Sequence, residues 1–220
     1  VPYYPEWEVH EKYKGKYWVK ENIDGATVHR IPLYVPKDVT SLKRIIHEFS
    51  FVLGILPVWF KFLFKKKFDV VFCAAPPFHL GILPLLYSKI KGVPMITHIQ
   101  DLQVDAAKEL GMIKNSTFLN LMFSIERFIL KKSKKVSTIS LGMQLKINGK
   151  GIPADKQMLF PNWVDEKNIM PLPKEQSLRN EFGLKDDDKV ILYSGNLGEK
   201  QGLEVIIDVA QKYKDRKDVY

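Results

Sequence analysis

The sequence predicts an α/β fold on a parallel sheet, followed by the opening of a second α/β unit. Three observations carry this. Residues 68–75 (FDVVFCAA) and 95–99 (MITHI) are short continuous apolar runs, the mark of strands buried on both faces. Helix-patterned segments separate these runs from each other and from KVSTI at 135–139, and strands alternating with helices imply right-handed βαβ crossovers. VILYS at 190–194 then starts a fresh strand, after a stretch holding Pro171, Pro173 and the charged run 185–188.

Composition sets the outer limits. With 45% hydrophobic residues, the 220-residue chain has material for a packed core and is not a disordered polymer. The single cysteine, Cys73, lies inside an apolar run and reads as a small buried hydrophobe. One cysteine excludes an internal disulfide framework and a CxxC metal site, and a reducing cytoplasm is its natural compartment. The net charge of +9 suits a polyanionic partner: nucleic acid, a phosphate-bearing substrate or an anionic membrane. The opening Val1-Pro2-Tyr3-Tyr4 reads as the interior of a longer protein, and 212–220 reads as a helix running into another strand.

Along the chain, residues 26–33 (ATVHRIPL) alternate after the Asp24-Gly25 turn and predict a short strand. Residues 41–66 predict one helix or a kinked pair, capped by Thr40 or Ser41 and interrupted at Pro57. Pro76-Pro77 ends the strand at 68–75, a helix covers 80–91, and Gly92-Val93-Pro94 turns the chain into the strand at 95–99. An amphipathic helix follows at 115–133, capped by Asn115 or Ser116, then the strand at 135–139, a short helix at 140–148 and a short strand at 158–160. The implied organisation is a first domain at 1–161, a linker at 162–189 and the start of a second domain at 190–220. In its parallel sheet, ligands bind beyond the carboxyl ends of the strands, so the loops 76–79, 98–105 and 140–143 are the ones to inspect.

Several residues there suit chemistry. His98 and Asp101 end a central strand, where they suit acid–base work or holding a sugar hydroxyl. Three residues apart on an extended strand, they point to opposite faces unless the strand has already ended. His98 reads equally as a core histidine, and Asp105 as a helix-capping residue. Pro77 and His79 belong to a stiff loop suited to an acceptor pocket or to a plain strand stop. The segment 193–202 (YSGNLGEKQG) joins a strand to a helix through Gly195, Gly198 and Gly202. Glycines let a backbone approach a phosphate, the helix start favours an anion, and Lys200 adds a charge. The spacing is neither GxGxxG nor a P-loop, so an ordinary turn is an equal reading.

Residues 41–67 are the other notable feature. Aromatic and aliphatic side chains, Trp59 and Phe60 among them, cover nearly every helical face. Lys43, Arg44, Lys61, Lys65, Lys66 and Lys67 flank them against the lone Glu48. The apolar core at 51–64 is 14 residues and contains Gly54, Pro57 and Lys61, short of the ~20 a spanning helix needs, so a transmembrane span is not expected. A helix lying in an anionic membrane interface fits, as does a core helix with a solvated lysine end.

On PYYPEW at 2–7, APP at 75–77, HIQDL at 98–102, STIS at 137–140, FPNWVD at 160–165 and YSGNLG at 193–198 with QGLE at 201–204, the chain resembles family 4 glycosyltransferases of the GT-B fold. It looks closest to the colanic-acid, capsule and O-antigen branch. The resemblance implies two Rossmann-like domains, the first incomplete here and the second only begun. It implies a retaining enzyme without metal or cofactor that moves sugar from a UDP- or GDP-linked donor to a polyprenyl-pyrophosphate glycan acceptor. It implies work at the inner face of the cytoplasmic membrane and no nucleic-acid partner. Donor contacts carry over to Gly195, Asn196, Gly198, Lys200, Gln201 and Gly202, although family members often have a basic pair where Asn196 and Gln201 stand. Acceptor contacts fall to Pro77, His79 and Asp105, and orientation of the acceptor to Asp101, with His98 second. Two alternatives are a basic nucleic-acid-binding α/β module and a sugar-nucleotide-modifying Rossmann enzyme with Tyr87 and Lys91 as its catalytic pair.

Overall fold

A computed structural model describes residues 2–38, 40–75, 77–198 and 201–220. Residues 1–104 and 115–161 form one compact unit, and residues 105–114 and 162–220 another. In the first, a hairpin of β1 (Val19–Ile23) and β2 (Ala26–Arg30) precedes helix α1 (Ser41–Leu63). Asp24 and Gly25 link the two strands with φ of 50° and 84°, the positive pair that a two-residue hairpin turn requires. The strand β1 escaped sequence reading, because its half-exposed alternation makes sense only opposite β2. Glu21 on β1 accepts from Tyr13 Oη at 2.9 Å, Lys12 Nζ at 3.1 Å and Arg30; Arg30 first, then Lys12, holds its carboxyl down at about 2.

The sheet runs β3 (Val71–Ala75), β4 (Met95–Ile99), β5 (Lys135–Thr138), β6 (Gln157–Leu159), all parallel and in chain order. Its register aligns Cys73, Thr97, Val136 and Gln157 in one row and Ala74, His98, Ser137 and Met158 in the next. Helices α2 (Ile82–Lys91), α4 (Ser116–Lys132) and α5 (Leu141–Gly149) cover the Cys73–Thr97–Val136 face. There Cys73, Leu85, Met95 and Ile129 form one core cluster, and Ile99, Leu102, Leu130, Val136, Ile147 and Ile152 another. The opposite face leaves Phe72, Met158 and Phe160 exposed. The expectation that 68–75 is buried on both sides is corrected accordingly: β3 alternates, because its helices pack on one face. Asn115 caps α4, accepting from Phe118 N–H at 2.9 Å, and Ser140 caps α5, accepting from Met143 N–H at 3.3 Å. Between these helices the buried Glu126 accepts from Lys150 Nζ at 2.5 Å, and Lys150 lies 4.6 Å from the Phe123 ring centre.

Helix α1 is a single helix capped by Thr40, whose hydroxyl accepts from Lys43 N–H at 3.3 Å. Pro57 does not end it; the residue sits on the exposed side, where loss of one backbone donor is tolerated. Leu42–Leu63 is long and apolar enough, by length and composition alone, to cross a membrane, which corrects the shorter estimate from sequence. Its inner side is nonetheless tied to the protein. His47 Nδ1 donates to Tyr34 O at 2.5 Å, Tyr34 N–H donates to Ser50 Oγ at 2.8 Å, and Trp18 Nε1 donates to Gly54 O at 2.7 Å.

Short helix α3 (Gln103–Glu109) carries Asp105 in its first turn. In the second unit, helix α6 (Glu204–Lys212) turns Ile206, Val209 and Ala210 toward Ile191, Val219 and Tyr220 around a cleft of about 200 Å³. The strand expected at 190–194 is not formed. Lys189 makes one bridge to Val219, and Ile191 N–H donates to Tyr220 O at 2.8 Å.

Candidate functional site

The carboxyl ends of β3 and β4 bring one loop and the HIQDL segment to the same sheet edge. Strand β4 stops at Ile99, so Asp101 lies beyond it. Asp101 borders a cavity on the Cys73–Thr97 side, with Ala75, Phe78, Gln103 and Glu126 around it. At about 20 Å³ this cavity takes a single water and no sugar, so any ligand meets Asp101 from outside it. Burial pushes the Cys73 thiol on its wall up to about 11, which leaves that sulfur unreactive at neutral pH.

His98 faces the other way. It is 4% exposed, and both ring nitrogens are engaged, Nδ1 with Ser137 Oγ at 2.9 Å and Nε2 with Gln100 Nε2 at 2.6 Å. An amide nitrogen only donates, so Nε2 accepts and the proton resides on Nδ1. Phe72 stacks on the ring at 5.7 Å and Phe160 meets it edge-on at 5.5 Å. Burial holds its pKa below the usual imidazole range. The geometry is that of a neutral, clamped core histidine, and it does not bring His98 together with Asp101.

His79 occupies the loop after β3, in the 3₁₀ turn Phe78–Gly81 that Pro77 precedes. Pro76 lies outside the described residues. The His79 ring stacks on Phe49 at 5.2 Å, and its Nε2 lies 3.9 Å from Glu48 Oε2, with no hydrogen-bond partner for that buried nitrogen. Burial lowers the His79 pKa and raises that of Glu48. Nearby, Tyr3 and Trp7 pack on His47 at 4.5 and 5.3 Å, and Arg44 lies 5.6 Å from the Trp7 ring centre. Tyr3, Trp7, His47 and Glu48 thus gather at the start of α1, a grouping that the sequence does not announce. The PYYPEW run was legible as a motif, but nothing in the sequence places it against the first turns of α1.

In the second unit, Gly195, Asn196 and Gly198 form an exposed turn, closed by Tyr193 Oη donating to Asn196 O at 2.7 Å. A side chain at Gly195 would meet that hydroxyl at 2.9 Å. Gln201 N–H donates to Gly198 O at 3.1 Å, Gly202 has φ of 59°, and α6 starts without a side-chain cap. Lys200 lies outside the described residues.

The basic–aromatic set on α1 divides between its two sides. Phe60, Lys61 and Arg44 are exposed, and Lys43 lies 3.8 Å from Asp38. Lys65 and Lys66 follow the helix and are exposed. Trp59 is the exception and corrects the expectation of a membrane-facing indole: its Nε1 donates to Leu83 O at 2.8 Å, and it lines an apolar cavity with Ile31, Phe62 and Tyr87. Tyr87 and Lys91 form no catalytic pair either. Tyr87 is buried, with its hydroxyl accepting from Phe68 N–H at 3.5 Å, and Lys91 Nζ donates to Lys65 O at 3.1 Å.

Residues 9–163 match the glycosyl transferase 4-like domain family. The chain belongs to this family. It is 35% identical, over its whole length and 54% of the relative's, to the Escherichia coli (strain K12) protein named "Putative colanic acid biosynthesis glycosyl transferase WcaI". It is 24% identical, over 89% of this chain and 48% of the relative, to "Uncharacterized glycosyltransferase MJ1607" of Methanocaldococcus jannaschii. The chain thus spans about half the length of the curated relatives it matches. Among solved structures, the Anabaena protein Alr3699/HepE in complex with UDP and glucose aligns at TM-score 0.49 and 15% identity, over 82% of this chain and 52% of that one.

Proposed function

We propose that this chain is the acceptor-side half, with the first part of the donor side, of a retaining glycosyltransferase of cell-surface polysaccharide assembly. Its donor is a UDP- or GDP-linked sugar and its acceptor a glycan on polyprenyl pyrophosphate. The observation that carries the reading is Asp101, set just past the end of a central parallel strand in a chain of the glycosyl transferase 4-like family. From there its carboxylate accepts a hydrogen bond from the acceptor hydroxyl and fixes it for attack. The new bond forms between that oxygen and the sugar's anomeric carbon, on the face the diphosphate leaves. The carbon–oxygen bond to the diphosphate breaks, and the acceptor's proton passes to the departing phosphate oxygen. Gly195, Gly198 and Gly202 leave backbone open to the diphosphate, and Asn196, Gln201 and Lys200 supply donors to it. Pro77 and His79 shape the acceptor entrance, while His98, held neutral, supports the sheet beneath.

Work at a cytoplasmic, anionic membrane surface belongs to the same reading. It is supported by the outward stripe of α1, where Leu42, Ile46, Phe49 and Leu53, at spacings of three or four residues, and Phe60 and Phe64, two turns further on, are exposed along one side. With its opposite side bonded to the hairpin and to α2, the helix suits lying in the interface rather than passing through it. The test is a transfer assay on the full-length protein with a panel of UDP- and GDP-sugars and a polyprenyl-pyrophosphate acceptor. Asp101→Asn should lower kcat at least a hundredfold with the circular dichroism spectrum unchanged. Wild-type turnover in that variant, or no transfer from any donor, would end the reading.

A further inference from the structure

At the edge of the sheet opposite Asp101, the starts of β4 and β5 open into a wide groove of about 650 Å³. Five lysines line it, from three separate stretches of chain: Lys89 at the end of α2, Lys132, Lys134 and Lys135 where α4 passes into β5, and Lys156 before β6. Asp155 is the one acidic side chain on its wall. None of the five ammonium groups is ion-paired with a carboxylate among the described residues. Lys135 and Lys156 are instead aimed by backbone: their Nζ atoms donate to Asp155 O at 2.6 Å and to Lys131 O at 3.0 Å. A run of lysines at a helix end is ordinarily just solvated. Here the fold adds Lys89 and Lys156, distant in sequence, to such a run around one concavity and leaves the charge unpaired with carboxylates among the described residues, at a cost in mutual repulsion that an anion would relieve.

Phosphate is the anion that fits, since an ammonium group meets it as a point charge from any direction. Helix α2, which brings Lys89 to the groove, is also bonded to the cationic end of α1. Lys91, two residues after Lys89 on α2, donates to the carbonyl of Lys65, which begins the tract Lys65, Lys66, Lys67. Phe64, immediately before that tract, is 89% exposed. Apolar side chains to enter a bilayer and a basic basin beside them are the two parts of an anionic lipid contact.

We propose that this groove binds the phosphate headgroups of an anionic bilayer, giving the protein an electrostatic membrane contact distinct from the apolar stripe of α1. The proposal rests on the membrane reading above, and each has its own variant. Binding of the full-length protein is measured on vesicles of phosphatidylcholine alone and of phosphatidylcholine mixed equally with phosphatidylglycerol, at low and high salt. K132E/K134E alters two exposed side chains. It should weaken binding to the phosphatidylglycerol vesicles about tenfold or more, erase most of the salt dependence, and leave binding to phosphatidylcholine as it was. Phe60→Ser with Phe64→Ser should weaken binding to both vesicles and keep the salt dependence. If K132E/K134E binds phosphatidylglycerol vesicles as the wild type does, with folding confirmed by circular dichroism, the groove is not a headgroup site, whatever the stripe variant does. Loss of binding to a single-stranded RNA oligonucleotide with no loss on vesicles would overturn it equally. Should that variant fail to fold, K89E/K132E is read against the same outcomes.

Discussion

The two sides of α1 reverse the usual plan of a surface helix. Its inner side is where the polar contacts are: His47 to Tyr34, Ser50 to Tyr34, the Gly54 carbonyl to Trp18, Trp59 to Leu83. Its outer side is apolar from Leu42 to Phe64, with Leu53 at 66% and Phe64 at 89% exposure. An ordinary amphipathic helix hides the apolar stripe and shows the charges. The difference teaches that apolar content alone does not locate a helix in a core. What decides is which side carries the backbone-directed hydrogen bonds, and that side here belongs to the protein.

The largest effect that would break this contrast comes from Gly54→Val. A Cβ there would sit 2.5 Å from the Pro32 carbonyl oxygen, backbone that has no freedom to yield. Urea unfolding should show a loss of about 3 kcal/mol. Trp59→Ala removes a half-buried indole and its bond to Leu83, and should lose about 2 kcal/mol in the same measurement, with Trp59→Phe recovering part of it.

A smaller effect is pH-dependent. Burial holds His79 neutral in the fold, below its unfolded value of about 6.5. As pH falls below that value the unfolded chain takes a proton that the folded chain declines, so stability falls. Glu48, 3.9 Å away, shifts upward by burial, so its protonated form is favoured and its contribution acts at lower pH and in the opposite sense. The stability of His79→Asn measured from pH 7 to 5.5 should vary less than the wild type's. Smallest of all, Phe60→Ser with Phe64→Ser should change stability by no more than about 1 kcal/mol, since Phe64 is 89% exposed and Phe60, half exposed, meets only the edge of the Trp59 ring among the aromatic contacts of the described residues. A loss above 2 kcal/mol there would mean that the stripe is covered by protein.

Much of the sheet was legible because its signals are local. MITHI is β4 to the residue, and Asn115 and Ser140 cap the helices that their positions announce. What failed to show is long-range. The strand β1 exists through β2, and near 190–194 the pairing is a single bridge from Lys189 to Val219. Of the site, Asp101 and His79 could be nominated by their place after strands. Tyr3 and His47, 44 positions apart, meet only because α1 folds back over the N-terminal motif. Trp59 was misread for the same reason, since composition gives an indole no direction.

Gly54 also has a geometric consequence. Pressed against Pro32 and gripped by Trp18, α1 has one permitted roll about its own axis. A shift of one residue would swing its outer stripe about 100°. The direction in which the apolar stripe faces out from the fold is therefore written into a hydrogen atom where every other amino acid would place a carbon.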